Sequence, residues 1–402
     1  MNKKVFVFFV FACLMFTCAG KVVANNATQS ENSSTPASPS PSSQPSLDEQ
    51  EAAIAYLVEL TSSGSKSVDL AKLQPLLNMA NLNQGKELDI TNKKFGDGVF
   101  VNIELPVSMN KMVHFAFNPE VPAEIIFPSA IRYGYWLPGS DILSLPSPLW
   151  KTWGSAEKPL VLHGEEFEEL TPNTDSGSYY SYILKRLLLA FVDQQGKKVL
   201  LTVSMQNGPS QPGKKSFIVG NDKDWNYVYS NEVGTNLSGI GWAEPVVYDS
   251  FTLNIFTEKE PGASVLENAI FKWIDAGWSG INMVKRSHVQ AGIKRYLAGF
   301  KEVMARGNVD EIVAEKKRLD ALTQDQRLEE FFSYARFVQE HSVRGDAPDA
   351  YKNAAKDGAY GSTMSPEQLV SQMLKNHLRK TLNKVDVLEL PSPSEAKQMT
   401  AN

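Results

Sequence analysis

The stretch that most constrains this chain runs from Leu187 to Met205, LLLAFVDQQGKKVLLTVSM. Two β-favouring runs, Leu187–Val192 and Lys198–Met205, flank the polar turn Asp193-Gln194-Gln195-Gly196-Lys197. Val, Leu, Phe and Thr suit a pleated, half-buried surface, and glycine supplies the backbone freedom of a tight reversal. The pattern predicts a β-hairpin at the centre of an antiparallel sheet.

The N-terminus predicts export. Lys3 and Lys4 precede an apolar run from Val5 to Thr17, and Val22-Val23-Ala24 offers small residues before Asn25. A basic start, a short apolar segment and such a site make residues 1–24 a signal peptide. The run falls short of the ~20 residues a membrane span needs, and the mature chain is expected to have no transmembrane span. Both cysteines, Cys13 and Cys18, lie in this segment, so cleavage after Ala24 leaves no thiol for disulfides, nucleophilic catalysis or metal binding. The alternative is lipid anchoring through Cys18. The expected location is the bacterial periplasm or beyond.

Residues 25–46 are rich in Ser, Pro, Asn and Thr and predict a disordered tether. Residues 47–95 predict short helices, including Asp48–Leu60. From Gly96 short β-type runs follow: Val99–Ile103, Met112–Phe117, Ala123–Phe127, Leu160–His163, the central hairpin, Phe217–Val219, Trp225–Tyr229 and Val246–Phe256. Tyr133–Gly154 is rich in Pro and Gly and predicts a long ordered loop. Residues 96–259 are therefore expected as a β-rich domain.

At Glu260-Pro261-Gly262 the pattern turns helical. Phe271–Val284 predicts a glycine-interrupted helix, and Val289, Ile293, Leu297, Phe300 and Met304 form one apolar stripe. Gly307-Asn308 stops that helix, and Ser365-Pro366-Glu367 opens another. The fold class expected is α+β: an antiparallel β-sandwich-like domain, a C-terminal α-helical bundle over residues 260–389, and a polar tail over 390–402.

Charge narrows the partners. Residues 25–263 carry 17 Lys/Arg against 27 Asp/Glu, an acidic balance that excludes nucleic acid as the expected partner. A glycan or an envelope protein is expected instead.

Two apparent motifs fail on their chemistry. Gly208-Pro209-Ser210-Gln211-Pro212-Gly213-Lys214 begins like a phosphate-binding loop, but Lys215 stands where Ser or Thr must hold magnesium, and a strand follows instead of a helix. Asp222, Asp224 and Asn226 begin like a calcium loop, but Tyr227 replaces the required glycine and Val233 the final glutamate. No cofactor is expected.

His163, Glu166 and Glu168 lie in one acidic run, where paired carboxylates could serve as general acid and base; a solvated strand edge is the plainer reading. Trp225, Tyr227 and Tyr229 alternate, so a strand would place them on one face; Trp136 and Trp153 sit in the Tyr133–Gly154 loop, and Trp242 follows the glycine-rich stretch Ser238-Gly239-Ile240-Gly241. Flat aromatic faces suit sugars or peptides, although such stripes are also ordinary core packing. The expectation is a non-catalytic binding protein with these aromatics as its recognition surface. The alternatives are a hydrolase acting on glycans through Glu166 and Glu168, and a secreted toxin or effector.

Overall fold

A computed structural model describes residues 44–155, 157–173, 176–218, 221–237, 241–331 and 364–384. The expected signal peptide, nearly all of the expected tether, residues 332–363 and 385–389 of the expected helical region and the expected polar tail lie outside the described residues.

The strands are β1 (Glu87–Asn92), β2 (Gly96–Leu105), β3 (Ile131–Trp136), β4 (Gly154–Ser155), β5 (Leu160–Leu170), β6 (Ser176–Tyr179), β7 (Ser181–Val192) and β8 (Lys198–Gln206). They continue as β9 (Lys214–Ile218), β10 (Tyr227–Val233), β11 (Thr235–Leu237), β12 (Gly241–Ala243), β13 (Val246–Glu258), β14 (Leu266–Trp278) and β15 (Ile281–Asn282). The helices are α1 (Leu47–Ser63), α2 (Gln74–Leu82), α3 (Met109–Ala116), α4 (Ala123–Ile126), α5 (Arg286–Arg306), α6 (Val309–Asp320) and α7 (Pro366–Thr381). A large sheet carries the fold, in the order β1-β2-β14-β13-β8-β7-β5-β3, with β15 beside β14 and β4 beside β7. Its pairings along this path are antiparallel. The predicted hairpin is β7 and β8, and it lies at the centre. Two smaller ladders, β10-β9-β6 and β11-β12, complete the strands.

Alternation sorts the sheet's side chains onto two covered faces. Leu187, Leu189, Leu201, Val203, Leu253 and Phe271 point to α1 and α2, whose Ile54, Leu57, Leu60 and Leu76 complete that core. Ser46 and Glu49 close a reciprocal cap at the start of α1, and Gly64 ends the helix at φ 68°. On the opposite face, Val99, Val101 and Ile270 receive Val289, Ile293 and Leu297 of α5, the predicted stripe. Helices α3, α6 and α7 share a further core with Leu188, Leu200, Phe256 and Leu266.

Several local expectations are corrected. Phe271–Val284 is strand, not helix: β14 and β15 occupy most of it. The first eight positions of β14 are nearly all buried because both faces are covered, so the period-two signal that marks a half-exposed strand is erased. Met112–Phe117 and Ala123–Phe127 fall in helices α3 and α4. Ser108 caps α3, accepting from the Lys111 N–H at 3.4 Å, and Met109, Met112 and Val113 bury one face. Such short apolar runs carry no period long enough to separate helix from strand. Tyr133–Trp136, expected in a loop, belongs to edge strand β3.

Candidate functional site

A cavity of about 310 Å³ opens beside the β3 edge of the sheet. Strand β3 supplies Trp136, β5 supplies Glu166 and β7 supplies Arg186, while Glu124 of α4, Phe127 just after it and Val370 of α7 close it from above. Register brings the floor together. Glu166 pairs with Trp136 on one side and with Leu184 on the other, and Arg186 stands opposite Gly164.

Arg186 organises the charges. Its Nη1 donates to Glu166 Oε2 at 2.5 Å and lies 3.9 Å from Glu168 Oε1; all three side chains are nearly buried. Its guanidinium sits 5.4 Å from the Trp136 ring centroid, a cation–π distance. Burial raises the Glu166 carboxyl, and the charge of Arg186 opposes that shift. Glu168 is pushed up to about 7, first by burial and then by the Glu166 charge, with Arg186 and Lys272 acting against it. Burial also raises the Tyr182 phenol beside these carboxylates and lowers the Lys272 amine, which Glu168 pulls back up. The Tyr296 phenol is raised by burial as well; Arg186 opposes that shift, and Glu168 and Glu166 add to it.

A second buried pair lies behind the roof. Glu124 Oε2 accepts from the Gly134 N–H at 3.2 Å, and burial raises this carboxyl against the effects of Ser371 and Lys375. Lys375 Nζ donates to the carbonyls of Ile131 and Pro128 at 2.8 and 2.9 Å, and burial lowers its amine to about 7. These bonds fasten α7 to the residues around the start of β3 through polar groups.

Of the six aromatic residues predicted to form a recognition surface, Trp136 alone lines the cavity. Trp225, Tyr227 and Tyr229 are buried and hold internal cations: Lys384 lies 4.0 Å from the Trp225 ring, Arg295 and Lys375 each 5.5 Å from Tyr227, and Arg132 4.1 Å from Tyr229. Trp225 precedes β10 in the left-handed region at φ 57°, so the three do not share one strand. Trp242 is exposed on β12, with Lys215 Nζ 5.7 Å from its ring. Trp153 is half-buried against the core, with Lys198 Nζ 5.2 Å away.

The acidic run divides by parity. Glu166 and Glu168 share one face of β5, whereas His163 points to the other, where its Nε2 meets the Ser65 carbonyl at 2.8 Å. Asp222 is occupied by Arg295, at 2.6 and 2.8 Å, and by the Tyr227 hydroxyl at 2.8 Å. Asp224 ends a short turn that Asn221 caps, Asn226 follows two residues on, and among the described residues no group of three or more His, Cys, Asp or Glu is placed to hold a metal.

Sequence reasoning missed Arg186, Glu124, Lys272 and Lys375. The signal for Arg186 was present: a cation in the middle of SYILKRLLLAFV, at a position that alternation places on a covered face. No protein-family model matches the chain, and no curated protein matches it.

Proposed function

We propose that this is an exported, envelope-associated protein that binds a neutral, sugar-like ligand in the β3-edge cavity without chemical turnover. The observation that carries the reading is the cavity floor, where Trp136 offers a flat aromatic wall beside the Arg186–Glu166 pair. An aromatic face takes the apolar side of a sugar ring, and fixed polar groups take its hydroxyls. The volume falls at the lower end of the range for small-molecule sites, ~300 Å³ and above. Arg186 and Glu166 balance each other on the floor, and Glu124, Asp320 and Glu367 outnumber Lys316 in the rest of the lining, which disfavours an anionic ligand.

Export by residues 1–24 to the periplasm or beyond, with Cys18 lipidation as the alternative, belongs to the same proposal. So does the reading of the C-terminal helices as a bundle behind a sandwich-like β-rich part, supported by the shared core of Ile312, Leu319, Leu374 and Leu378.

A glycan hydrolase is the second reading. Glu168, raised to about 7, beside Glu166, which Arg186 holds toward its charged form, is the kind of unequal carboxylate pair that acid–base catalysis uses. Isothermal titration of the mature chain against sugars, with product analysis on each one bound, separates the two. Trp136→Ala should abolish binding in both cases. Glu168→Gln should leave a binder's affinity within about twofold, and in a hydrolase it should remove turnover while binding persists. Sugar binding that survives Trp136→Ala would refute the cavity as the site.

A further inference from the structure

The cavity lining ends at Arg186, but the polar row that Arg186 begins runs on across the sheet. Across the sheet, Arg186 pairs with Ser204, Ser204 with Thr252, and Thr252 with Lys272. This is one straight row over four strands, about 14 Å long at the usual strand spacing. Lys272 Nζ donates to Thr252 Oγ1 at 2.9 Å along it. A second polar pair, Thr202 and Asn254, runs beside it one pleat away on the same face.

The neighbouring row on the opposite face has the reverse character. One residue along each strand, Leu187, Val203, Leu253 and Phe271 pair in the same sequence and are fully buried. The same four strands thus place an apolar row against α1 and α2 and a polar row on the face that holds the cavity at its β7 end and packs against α5 beyond β14. Arg186, Ser204, Thr252, Asn254 and Lys272 each keep some accessible surface. Three enclosed polar atoms along or beside the row, Arg186 Nε, Asn254 Oδ1 and Gln206 Oε1, have no hydrogen-bond partner among the described residues. Those three atoms are enclosed, so the bonds a polar ligand would gain come from the half-buried Ser204, Thr252, Asn254 and Lys272 side chains beside them. Tyr296 of α5 stacks its ring on Phe127 of the cavity wall at 4.9 Å, and its phenol feels the charges of Arg186, Glu166 and Glu168.

We infer that the cavity is the end subsite of a longer groove, and that its ligand is a neutral oligosaccharide chain with one unit on Trp136 and the following units along Arg186, Ser204, Thr252 and Lys272. The inference rests on the binding reading of the cavity. Its chemistry follows from the row. Two hydroxyls stand between two cations, with the Asn254 amide one pleat away and no apolar side chain within the row, which suits a polyhydroxylated chain and not a peptide's side chains. Arg186 and Lys272 are balanced by Glu166 and Glu168, which disfavours a polyanion.

The test is calorimetric titration of the mature chain with β-1,4-linked glucose and N-acetylglucosamine oligomers of increasing length, from the single sugar upward. The expected result is an affinity that rises about tenfold or more from the single sugar to the longer oligomers. Thr252→Val and Ser204→Ala, each checked for an unchanged thermal midpoint, should flatten that rise. Trp136→Ala should weaken every length. Equal affinity for short and long oligomers overturns the groove and leaves the cavity as a single-sugar site. A rise with length that Trp136→Ala does not affect overturns the placement of the end unit, and with it the cavity reading. No binding in either series overturns the oligosaccharide inference, and the cavity reading then stands or falls on the other sugars and Trp136→Ala.

Discussion

Trp136 lies on Gly164. A Cβ added to Gly164 would come within 3.2 Å of the indole Cζ3 and within 2.8 Å of the Ser140 Cβ. Strand β5 therefore carries no side chain at the one point where the cavity's aromatic wall crosses it, opposite Arg186 in the ladder. Gly164→Ala is expected to push the indole off the strand, destabilise the fold by ~1–3 kcal/mol through overpacking, and weaken ligand binding along with Trp136→Ala. Chemical denaturation and titration of the same variant check both effects.

The Arg186–Glu166 pair should cost more to break than to remove. Arg186→Met leaves the Glu166 carboxylate buried without its partner, and a loss of roughly 3–5 kcal/mol is expected. Arg186→Met combined with Glu166→Leu should recover much of that loss, because no charge is then left uncompensated. A double-mutant cycle by urea unfolding measures the coupling.

Stability should depend on pH through two buried groups with opposite slopes. The Glu168 carboxyl titrates at about 7 in the fold, above its ordinary value, so between the two the native state holds a proton that the unfolded chain has lost. Relative to Glu168→Gln, the protein should therefore lose stability as pH rises toward 7, by at most roughly 3 kcal/mol. Lys375 titrates at about 7, below its ordinary value, so above 7 the unfolded chain binds the extra proton. Relative to Lys375→Met, stability should rise from pH 7 toward 10. Thermal midpoints of the three proteins across this range test both slopes.

The aromatic residues should separate by role. Trp225→Ala is expected to destabilise by ~3–5 kcal/mol, since it empties a buried site and leaves Lys384 without its ring. Trp242→Ala, at 51% exposure, should stay within about 0.5 kcal/mol. Trp136→Ala should lose ligand at a smaller cost in stability than Trp225→Ala. Thermal unfolding and titration of the three variants give the order directly.

Local chemistry made much of the fold legible. The turn Asp193–Lys197 marked the central hairpin because β-favouring runs flank it on both sides and Gly196 supplies the reversal between them. Ser365, whose side chain accepts from the Gln368 N–H at 3.2 Å, and Pro366 opened α7; Gly307 and Asn308 divided α5 from α6. Each of these signals acts within a few residues, through a cap, a turn or a stripe. Strand β14 was hidden because its two faces are both covered, which is a property of its neighbours and not of its own residues. The site was hidden for a related reason. Glu166 was visible as a carboxylate, but its partner Arg186 lies 20 positions away and reaches it only because β5 and β7 pair in one register. The row from Arg186 to Lys272 spans four strands drawn from 87 residues of chain. Alternation along each strand could say that these residues face one way; only the pairing of the strands could place them side by side.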